Sequence, residues 1–229
     1  MELVKFEKIN KIYKTGNIEV DALKNINLKI DRGEFLVFAG PSGAGKTTML
    51  NMVGVMDKPT NGKLFVDNED VTKFNLKEAA NFRKHKLGFI FQSYNLIPVL
   101  TAYENVAFTL QLLKKYSSNQ IKDMVENVFS ELEILELKNR KPSEMSGGQQ
   151  QRVAIARAIV KMPKIILADE PTANLDTKTG ESILRLMQKL NEEKDITFIF
   201  SSHDSKIIDK AKRIVWIRDG EREKKEHNF

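Results

Sequence analysis

The chain has 229 residues, 37 Lys and Arg against 31 Asp and Glu, a formal net charge of +6, and no cysteine. With 41% hydrophobic residues it is long and apolar enough for one large domain, which excludes a disordered chain. The lack of cysteine excludes disulfides, cysteine-bound zinc and thiol catalysis. The opening residues predict no apolar signal segment, and no run is apolar enough to span a membrane. The charge alone fits nucleic acid, an anionic membrane surface or simple solubility.

Short apolar runs alternate with longer helix-like segments, a pattern typical of an α/β fold. The early strands are separated by turns with Gly or Asn, and they predict an antiparallel patch at Val4–Ile9, Ile26–Ile30 and Lys63–Val66. Four apolar runs predict buried strands of a mostly parallel sheet: Phe35–Ala39, Leu87–Phe91, Ile165–Ala168 and Ile196–Phe200.

Helices are predicted between the later strands. Four apolar residues recur at the spacing of one helix face: Ile183, Leu186, Met187 and Leu190. Roughly Thr101–Asn139 is rich in helical patterns without a clear strand, which predicts a helical sub-domain inserted between two strands. The end of the chain, Arg218–Phe229, mixes charges of both signs and predicts a solvated tail.

A glycine-rich segment, Gly40–Thr48, fits the pattern G-x-x-x-x-G-K-S/T and lies between a predicted strand and a predicted helix. Glycines let backbone N–H groups crowd around phosphates, and the helix N-terminus adds the positive end of a dipole. Lys46 would then reach the β- and γ-phosphates, and the Thr47 hydroxyl would bind Mg²⁺. Because a chance match in this context is rare, the segment predicts a nucleotide site.

An apolar run that ends in two carboxylates, Ile165–Glu170, supplies the acids that such a site needs. Asp169 is placed to hold Mg²⁺ through its water shell, and Glu170 to polarise a water that attacks the γ-phosphate. Alone, the pair also fits an ordinary strand end with solvated acids. The glycine-rich loop Gly40–Thr48 in the same sequence favours the metal-binding and catalytic roles for these two carboxylates.

Polar features follow all four predicted parallel strands. Gly40–Thr48 follows the first, Gln92 the second, Asp169 and Glu170 the third, and His203 the fourth. Ligands of open parallel sheets bind beyond the carboxyl ends of the strands, so these features predict one crevice. Taken alone, His203 would more often be a surface or capping histidine.

The segment from Ser146 to Gln149, Ser-Gly-Gly-Gln, opens a helix predicted over Gln149–Lys161. Ser146 and Gln149 form a capping box, which is a purely structural explanation for both. Two successive glycines are costly in a first helical turn, so they favour a close approach of the backbone to a second anion at an uncapped helix start. Two phosphate-binding devices in one chain suit a head-to-tail dimer in which each copy completes the site of the other.

From Tyr13 to about Gly220 the chain resembles an ABC-type ATPase subunit. Five segments resemble motifs of that family. In chain order they are similar to the Walker A loop (Gly40–Thr48), the Q-loop (Gln92), the signature (Ser146–Gln149), the Walker B strand (Ile165–Glu170) and the switch histidine (His203). Asn174 to Asp176 is similar to the D-loop, and Tyr13 is placed like the aromatic residue that stacks on adenine. The resemblance implies a P-loop NTPase core with a mostly parallel sheet, an N-terminal antiparallel β subdomain and an inserted helical subdomain.

The resemblance also assigns roles to residues, with ATP and Mg²⁺ as ligands. Glu170, His203 and Gln92 are expected to be catalytic, and Thr47, Gln92 and Asp169 to hold the metal. The residues expected to contact nucleotide are Tyr13, Gly40, Ser42, Gly43, Ala44, Gly45, Lys46, Thr47, Thr48, Ser146, Gly147, Gly148, Gln149 and Asp176. We expect one ABC ATPase domain over 1–229, with a nucleotide-binding core at about 1–92 and 160–229 and a helical subdomain at about 93–159.

Longer phrases narrow the match: Gly88–Pro98, Thr101–Val106 and Ala168–Asp176. They resemble the lipoprotein-release and macrolide-export branch, LolD-like and MacB-like, which includes the cell-division protein FtsE. This resemblance implies a transport-coupled ATPase that forms a head-to-tail, ATP-dependent homodimer. It also implies a MacB- or FtsX-type permease partner for export or extraction of lipoprotein, peptide or drug. The subunit is then expected to be peripheral, at the cytoplasmic face of the inner membrane, with no nucleic acid as partner.

The rival is an ABC ATPase without transport, such as an FtsE-like regulator or a member that acts in DNA repair, chromosome organisation or translation. Chromosome-organising members insert long coiled coils between the Q-loop and the signature, whereas Gln92 and Ser146 are close in this sequence. The excision-repair type carries cysteine zinc modules, which a chain without cysteine cannot form. Translation members usually hold two ATPase domains. A small P-loop kinase would have no reason for the Ser-Gly-Gly-Gln segment.

Overall fold

A computed structural model describes residues 1–16 and 18–223. The strands are β1 (Glu2–Thr15), β2 (Ile18–Asp31), β3 (Phe35–Ala39), β4 (Asn61–Val66), β5 (Glu69–Asp70), β6 (Leu87–Phe91), β7 (Ile165–Asp169), β8 (Thr197–Ser202), β9 (Arg213–Arg218) and β10 (Glu221–Arg222). The helices are α1 (Lys46–Val53), α2 (Leu76–Lys86), α3 (Ala102–Leu113), α4 (Ser118–Glu131), α5 (Gly147–Ile159), α6 (Thr177–Lys194) and α7 (Ser205–Lys210). The predicted fold class is confirmed.

The first sheet is antiparallel, in the order β2-β1-β4-β5. The three early strands that the sequence predicts lie inside β1, β2 and β4, but β1 and β2 are 14 residues long each. Their far ends pair from Lys11 opposite Leu23 to Thr15 opposite Ile18, where the β2 side chains are largely exposed. The apolar alternation ends before the backbone pairing does, so the sequence pattern underestimates both strands.

The second sheet has the order β10-β9-β3-β8-β7-β6, and all neighbours from β9 to β6 run parallel. Every residue of β3 is buried, as expected for a strand that is covered on both faces. Phe35, Val37 and Ala39 face one apolar cluster, which includes α3 to α6. Leu36 and Phe38 face the other, which includes α1 and the antiparallel sheet. The parallel sheet is therefore the central layer.

The helices α3 and α4 lie in the stretch predicted to be rich in helix, between β6 and β7 in the chain. Both begin at a capping box, formed by Thr101 with Glu104 and by Ser117 with Gln120. The predicted apolar face of α6 is confirmed for Ile183, Met187 and Leu190, which are buried. The boundaries of core and helical subdomain at residues 92–93 and 159–160 stay a prediction.

The predicted solvated tail is partly wrong. Arg218 is the last residue of β9, a strand that the apolar pattern does not predict because charged residues stand at both of its ends. Glu221 and Arg222 then form β10, which pairs antiparallel with β9. The rest of the predicted tail, residues 224–229, lies outside the described residues. Over the part of the chain that the structure describes, no helix has the length and apolar character needed to cross a membrane.

Candidate active site

A cleft of about 520 Å³ opens at the carboxyl ends of the parallel strands. It brings together the four polar features that follow β3, β6, β7 and β8, because parallel strands end at the same edge of a sheet. We call it the phosphate cleft. It is lined by Val20, Asp21, Ala22, Pro41, Ser42, Gly43, Gly45, Lys46, Thr47, Thr48, Gln92, Glu170, Ser201, His203, Asp219 and Gly220.

The glycine-rich loop between β3 and α1 is packed too tightly for side chains at two positions. Gly40 has a φ of +149°, and a Cβ there would lie 2.1 Å from the backbone oxygen of Ile217. Gly45 has a φ of +105° and directly precedes α1 without a side-chain cap, so the first N–H groups of that helix keep no capping partner. Ala44 is buried and packs in the core beneath the loop. The loop thus presents backbone donors to the cleft, as an anion site requires.

The lysine of this loop is held by the backbone of the loop itself. Lys46 Nζ donates hydrogen bonds of 2.8 Å to each of the backbone oxygens of Gly40 and Pro41, and only 7% of the residue is exposed. A positive charge is therefore held at the base of the loop at no further conformational cost when an anion arrives.

Thr47, the first residue of α1 with a hydroxyl, lies beside Asp169, the last residue of β7. Thr47 Oγ1 lies 3.5 Å from Asp169 Oδ1. Burial raises the pKa of Asp169, and the negative charge of Glu170 adds to this effect. A cation between these two oxygens would relieve the buried charge.

The second carboxylate, Glu170, has a backbone φ of +44°, an uncommon value for a residue other than glycine. Its side chain is held on three sides. Glu170 Oε2 accepts a hydrogen bond of 2.7 Å from the Ser202 hydroxyl. Glu170 Oε1 lies 2.6 Å from His203 Nδ1 and 3.2 Å from the His203 backbone nitrogen, which donates to it. Glu170 is thereby oriented by the end of β8, while the imidazole of His203 remains 72% exposed.

The segment after β6 carries Gln92 into the cleft and is tied down by two other parts of the chain. Asn174 Nδ2 donates a 3.0 Å hydrogen bond to the backbone oxygen of Gln92. Tyr94 and Asn95 follow in the left-handed region, and the Arg157 guanidinium of α5 donates to both of their backbone oxygens. Burial lowers the pKa of this arginine. No local pattern in the sequence predicts these contacts, since they join residues far apart in the chain.

The Ser-Gly-Gly-Gln segment lies in a separate cleft of about 630 Å³, which we call the signature cleft. It is lined by Ser146, Gly147, Gly148, Gln149, Arg152, Asn174, Leu175, Asp176, Lys178, Thr179, Ser182 and Ile183. Among the described residues, none lines both clefts. One chain therefore brings the two groups of predicted nucleotide-contacting residues to different places.

The predicted start of the signature helix is wrong by two residues. The helix α5 spans Gly147–Ile159 rather than Gln149–Lys161, because Ser146 is its N-cap. The Ser146 hydroxyl accepts the Gln149 N–H at 3.3 Å, and Gln149 Oε1 accepts the Ser146 N–H at 2.9 Å, so the predicted capping box is present. The expectation of an uncapped helix start is therefore wrong.

The two glycines have neighbours within the chain. A Cβ on Gly147 would lie 2.8 Å from the Tyr94 hydroxyl, and one on Gly148 would lie 2.5 Å from Thr179 Cγ2. A larger residue at either position would have to displace a neighbouring side chain of the same chain, so internal packing favours glycine there even without a ligand. Asp176 caps the neighbouring helix α6 by accepting the Thr179 N–H at 3.0 Å, and hydrogen bonds from Thr179 lower its pKa.

Tyr13 lies beside the phosphate cleft, not among its lining residues. It pairs across the β1–β2 ribbon with Val20, which does line the cleft. Its hydroxyl donates a 2.6 Å hydrogen bond to Asp57 Oδ2. Burial raises the pKa of Tyr13, the bond to Asp57 raises it further, and a hydrogen bond with Thr48 of α1 opposes the rise. No local pattern in the sequence pointed to Asp57.

Comparison with known proteins finds similarity over nearly the whole chain. The family profile described as "ABC transporter" matches residues 23–173. The uncharacterized ABC transporter ATP-binding protein MJ0796 of Methanocaldococcus jannaschii is 45% identical over 228 residues, which are 98% of this chain and 97% of that protein. The macrolide export ATP-binding/permease protein MacB of Syntrophobacter fumaroxidans is 42% identical over 96% of this chain, but the match covers only 31% of MacB.

The fold is also similar to solved structures. One is a dimeric, post-hydrolysis state of the ATP-binding cassette MJ0796 bound to ADP and Pi. It superposes with a TM-score of 0.90 at 44% identity, over 99% of this chain and 98% of that one. At this identity the likeness extends beyond the fold to the family.

Proposed function

The chain belongs to the ABC transporter family, and we propose its function from that premise. It is an ATP-binding and ATP-hydrolysing transporter subunit, since the family match and the full-length relatives agree on this. One observation carries the rest of the proposal: the phosphate cleft and the signature cleft of one chain share no lining residue among those described.

Two copies of the chain work as a head-to-tail homodimer. A triphosphate seated on the loop at Lys46 needs a second set of donors on its open side, and the signature cleft of the same chain lies elsewhere. A second copy turned by a two-fold axis brings its own Ser146 and Gly148 to that side. The MJ0796 cassette, at 44% identity, is dimeric with ADP and Pi bound, which supports a dimer for this chain.

The phosphate cleft binds the ATP phosphates through backbone N–H groups of the glycine-rich loop, helped by the buried charge of Lys46. The loop and α1 residues that take part are Gly40, Ser42, Gly43, Ala44, Gly45, Thr47 and Thr48. Glu170 is the general base for the attacking water, and its hydrogen bonds to Ser202 and His203 hold its carboxylate in place. Gln92 and His203 contact the γ-phosphate, and Asp176 links the two composite sites.

Thr47 and Asp169 fit a Mg²⁺ site. Magnesium binds proteins through one or two oxygens and keeps water and phosphate as its other ligands, and the two side-chain oxygens lie 3.5 Å apart. Gln92 completes the proposed set of protein ligands. When bound, Mg²⁺ neutralises charge on the β- and γ-phosphates.

The partner of the dimer is a membrane-embedded permease of MacB or FtsX type, and the ATPase lies peripherally at the cytoplasmic face of the membrane. The MacB relative supports this, because its name joins an ATP-binding and a permease part and this chain matches 31% of its length. The net charge of +6 suits an anionic leaflet and a polyanionic nucleotide. The division into a core at about 1–92 and 160–229 and a helical subdomain at about 93–159 belongs to this proposal.

The test is a Glu170→Gln variant, which keeps the shape of the side chain but removes the base. We expect hydrolysis to fall at least about 100-fold while Mg-ATP drives a stable dimer. Light scattering coupled to size exclusion, with and without Mg-ATP, reports the mass. A matched control is Glu181→Gln, at an exposed ion pair on α6, which should behave like the natural sequence. A Glu170→Gln variant that stays monomeric with Mg-ATP, or that still hydrolyses it, contradicts the assignment.

A further inference from the structure

A cluster of three side chains lies beside the phosphate cleft: Lys11 and Tyr13 on β1, and Asp57 after α1. Lys11 Nζ lies 2.5 Å from Asp57 Oδ1, and the Tyr13 hydroxyl donates to Asp57 Oδ2 at 2.6 Å. Residues two apart on a strand point to the same face, so one carboxylate can bind both. Each of its oxygens is thus occupied by a different side chain.

Asp57 itself is fixed in place. Its Oδ1 accepts the N–H of Lys58 at 2.7 Å, and Lys11 also donates to the Lys58 backbone oxygen at 2.8 Å. Thr60 ties the same segment to β1, since its hydroxyl accepts the Ile12 N–H at 3.0 Å. Hydrogen bonds from Lys11 and Tyr13 outweigh the effect of burial and lower the pKa of Asp57. The carboxylate is a rigid, ionised anchor.

The Tyr13 ring has two faces in different surroundings. Lys11 Nζ lies 4.7 Å from the ring centroid and covers one face. The residue is nevertheless 39% exposed, and its strand partner Val20 and its neighbour Thr48 both line the phosphate cleft. A cation on one side of a ring draws electron density from it, which makes the other side a better surface for an electron-rich purine.

We propose that Lys11 and Asp57 are positioning residues that hold the Tyr13 ring as a one-sided platform for the purine of the nucleotide. The inference rests on the proposed function, in which ATP occupies the phosphate cleft. Neither residue touches the nucleotide: Asp57 sets the orientation of the ring through the phenol, and Lys11 sets the electron density of the ring and blocks its rear face. Pre-organisation of this kind strengthens binding by lowering the entropy lost on association.

The proposal differs from a merely structural role in what it predicts for ligands that lack a base. A cluster that only joined β1 to the segment after α1 would change stability and would change the binding of all phosphates alike. A base platform changes the affinity for ATP and leaves the affinity for inorganic tripolyphosphate as it was. Because binding is affected more than chemistry, the loss falls on KM more than on kcat.

The experiment compares dissociation constants for Mg-ATP and Mg-tripolyphosphate by titration calorimetry on the full chain. Tyr13→Phe keeps the ring but loses the anchor, and Lys11→Met keeps the stem but loses the cation. We expect each to raise the Kd for ATP about threefold, and Tyr13→Leu to raise it roughly tenfold. Asp57→Asn should behave like Lys11→Met, and if Asp57→Asn fails to fold, the other three variants still test the proposal.

A matched control is Lys14→Met on the same strand, whose exposed ammonium group pairs with Glu19. It should bind both ligands like the natural sequence. The inference is overturned if Tyr13→Phe and Lys11→Met bind ATP normally, or if tripolyphosphate binding weakens by the same factor. The proposed function fails separately, if the natural sequence itself neither binds nor hydrolyses ATP.

Discussion

The phosphate cleft and the signature cleft are built in opposite ways. The first gathers the ends of parallel strands, and its buried Lys46 and positive-φ glycines leave little freedom. The second lies where the helices α5 and α6 begin, each with an N-cap side chain, Ser146 or Asp176. One cleft is a rigid receptor for an anion, and the other is an open surface with helix ends. The difference fits the proposed dimer, in which each chain would contribute two unlike halves of a site.

The largest effects should come from disabling each cleft in turn. Lys46→Ala removes the cation at the base of the loop, so we expect ATP binding and hydrolysis both to be lost. Ser146→Arg places a bulky cation at the start of α5, so we expect ATP binding by the monomer to persist while hydrolysis falls at least about 100-fold. Calorimetry and a phosphate-release assay separate the two outcomes. Equal loss of ATP binding in both variants would contradict the division of labour.

A mixture of these two dead variants sharpens the comparison further. In a head-to-tail heterodimer, the intact loop of the Ser146→Arg chain meets the intact signature of the Lys46→Ala chain. Equal amounts should recover about one quarter of the natural hydrolysis rate, since half of the dimers are mixed and each has one intact site. Each variant alone, at the same total concentration, is the control. No recovery would speak against composite sites that work independently.

A smaller effect on kcat is expected from the hydrogen bond that joins a residue of one cleft to a residue of the other. Asn174 lines the signature cleft, yet its side-chain amide donates to the backbone of Gln92 in the phosphate cleft. Asn174→Ala removes one neutral hydrogen bond, worth about 1 kcal/mol, and should lower kcat roughly fivefold with nucleotide binding by the monomer retained. Asn174→Asp also lacks the donor and sets a carboxylate against the Gln92 carbonyl oxygen, so its kcat should fall at least as far. Normal kcat in both variants would mean that the bond links the clefts without consequence.

The smallest effect concerns the far end of the signature helix. Lys161, just after α5, donates to the backbone oxygens of Arg83 and Lys84, and burial lowers its pKa to about 8. The unfolded chain keeps this lysine protonated up to about pH 10.4, so between pH 8 and 10 it binds more protons than the folded chain. The free energy of unfolding of the natural sequence, measured relative to that of Lys161→Met, should therefore rise with pH across this window by on the order of 1 kcal/mol. Urea denaturation at pH 7.5, 8.5 and 9.5 measures it, and a constant difference would contradict the buried charge.

Local patterns in the sequence predicted four of the five parallel strands, all but β9, and the motifs at the ends of those four. Phe35–Ala39 and Leu87–Phe91 match β3 and β6 residue for residue, because continuous apolar runs mark strands that are buried on both faces. The carboxyl-end rule then placed Glu170 and His203 in one cleft without any knowledge of distances.

The contacts that support the site could not be predicted in this way. Arg157 and Tyr94 are 63 positions apart, and Tyr13 and Asp57 are 44 apart. Hydrogen bonds over such separations depend on how whole elements pack, which periodicity does not encode. The Gly147–Gly148 pair is a related case, since its close neighbours are Tyr94 and Thr179 of other segments. Sequence patterns indicated that the backbone must approach something there, but not what.

The separation of the two clefts has a genetic consequence. Each working site would need one half from each of the two copies. A cell that makes equal amounts of a defective and an intact chain would therefore assemble mostly dimers with at least one damaged site. If the permease moves only when both sites of a dimer are intact, alleles that spoil the signature cleft but leave the phosphate cleft able to bind ATP would be dominant over the intact gene. Alleles that merely unfold the chain remove it from assembly and would be recessive.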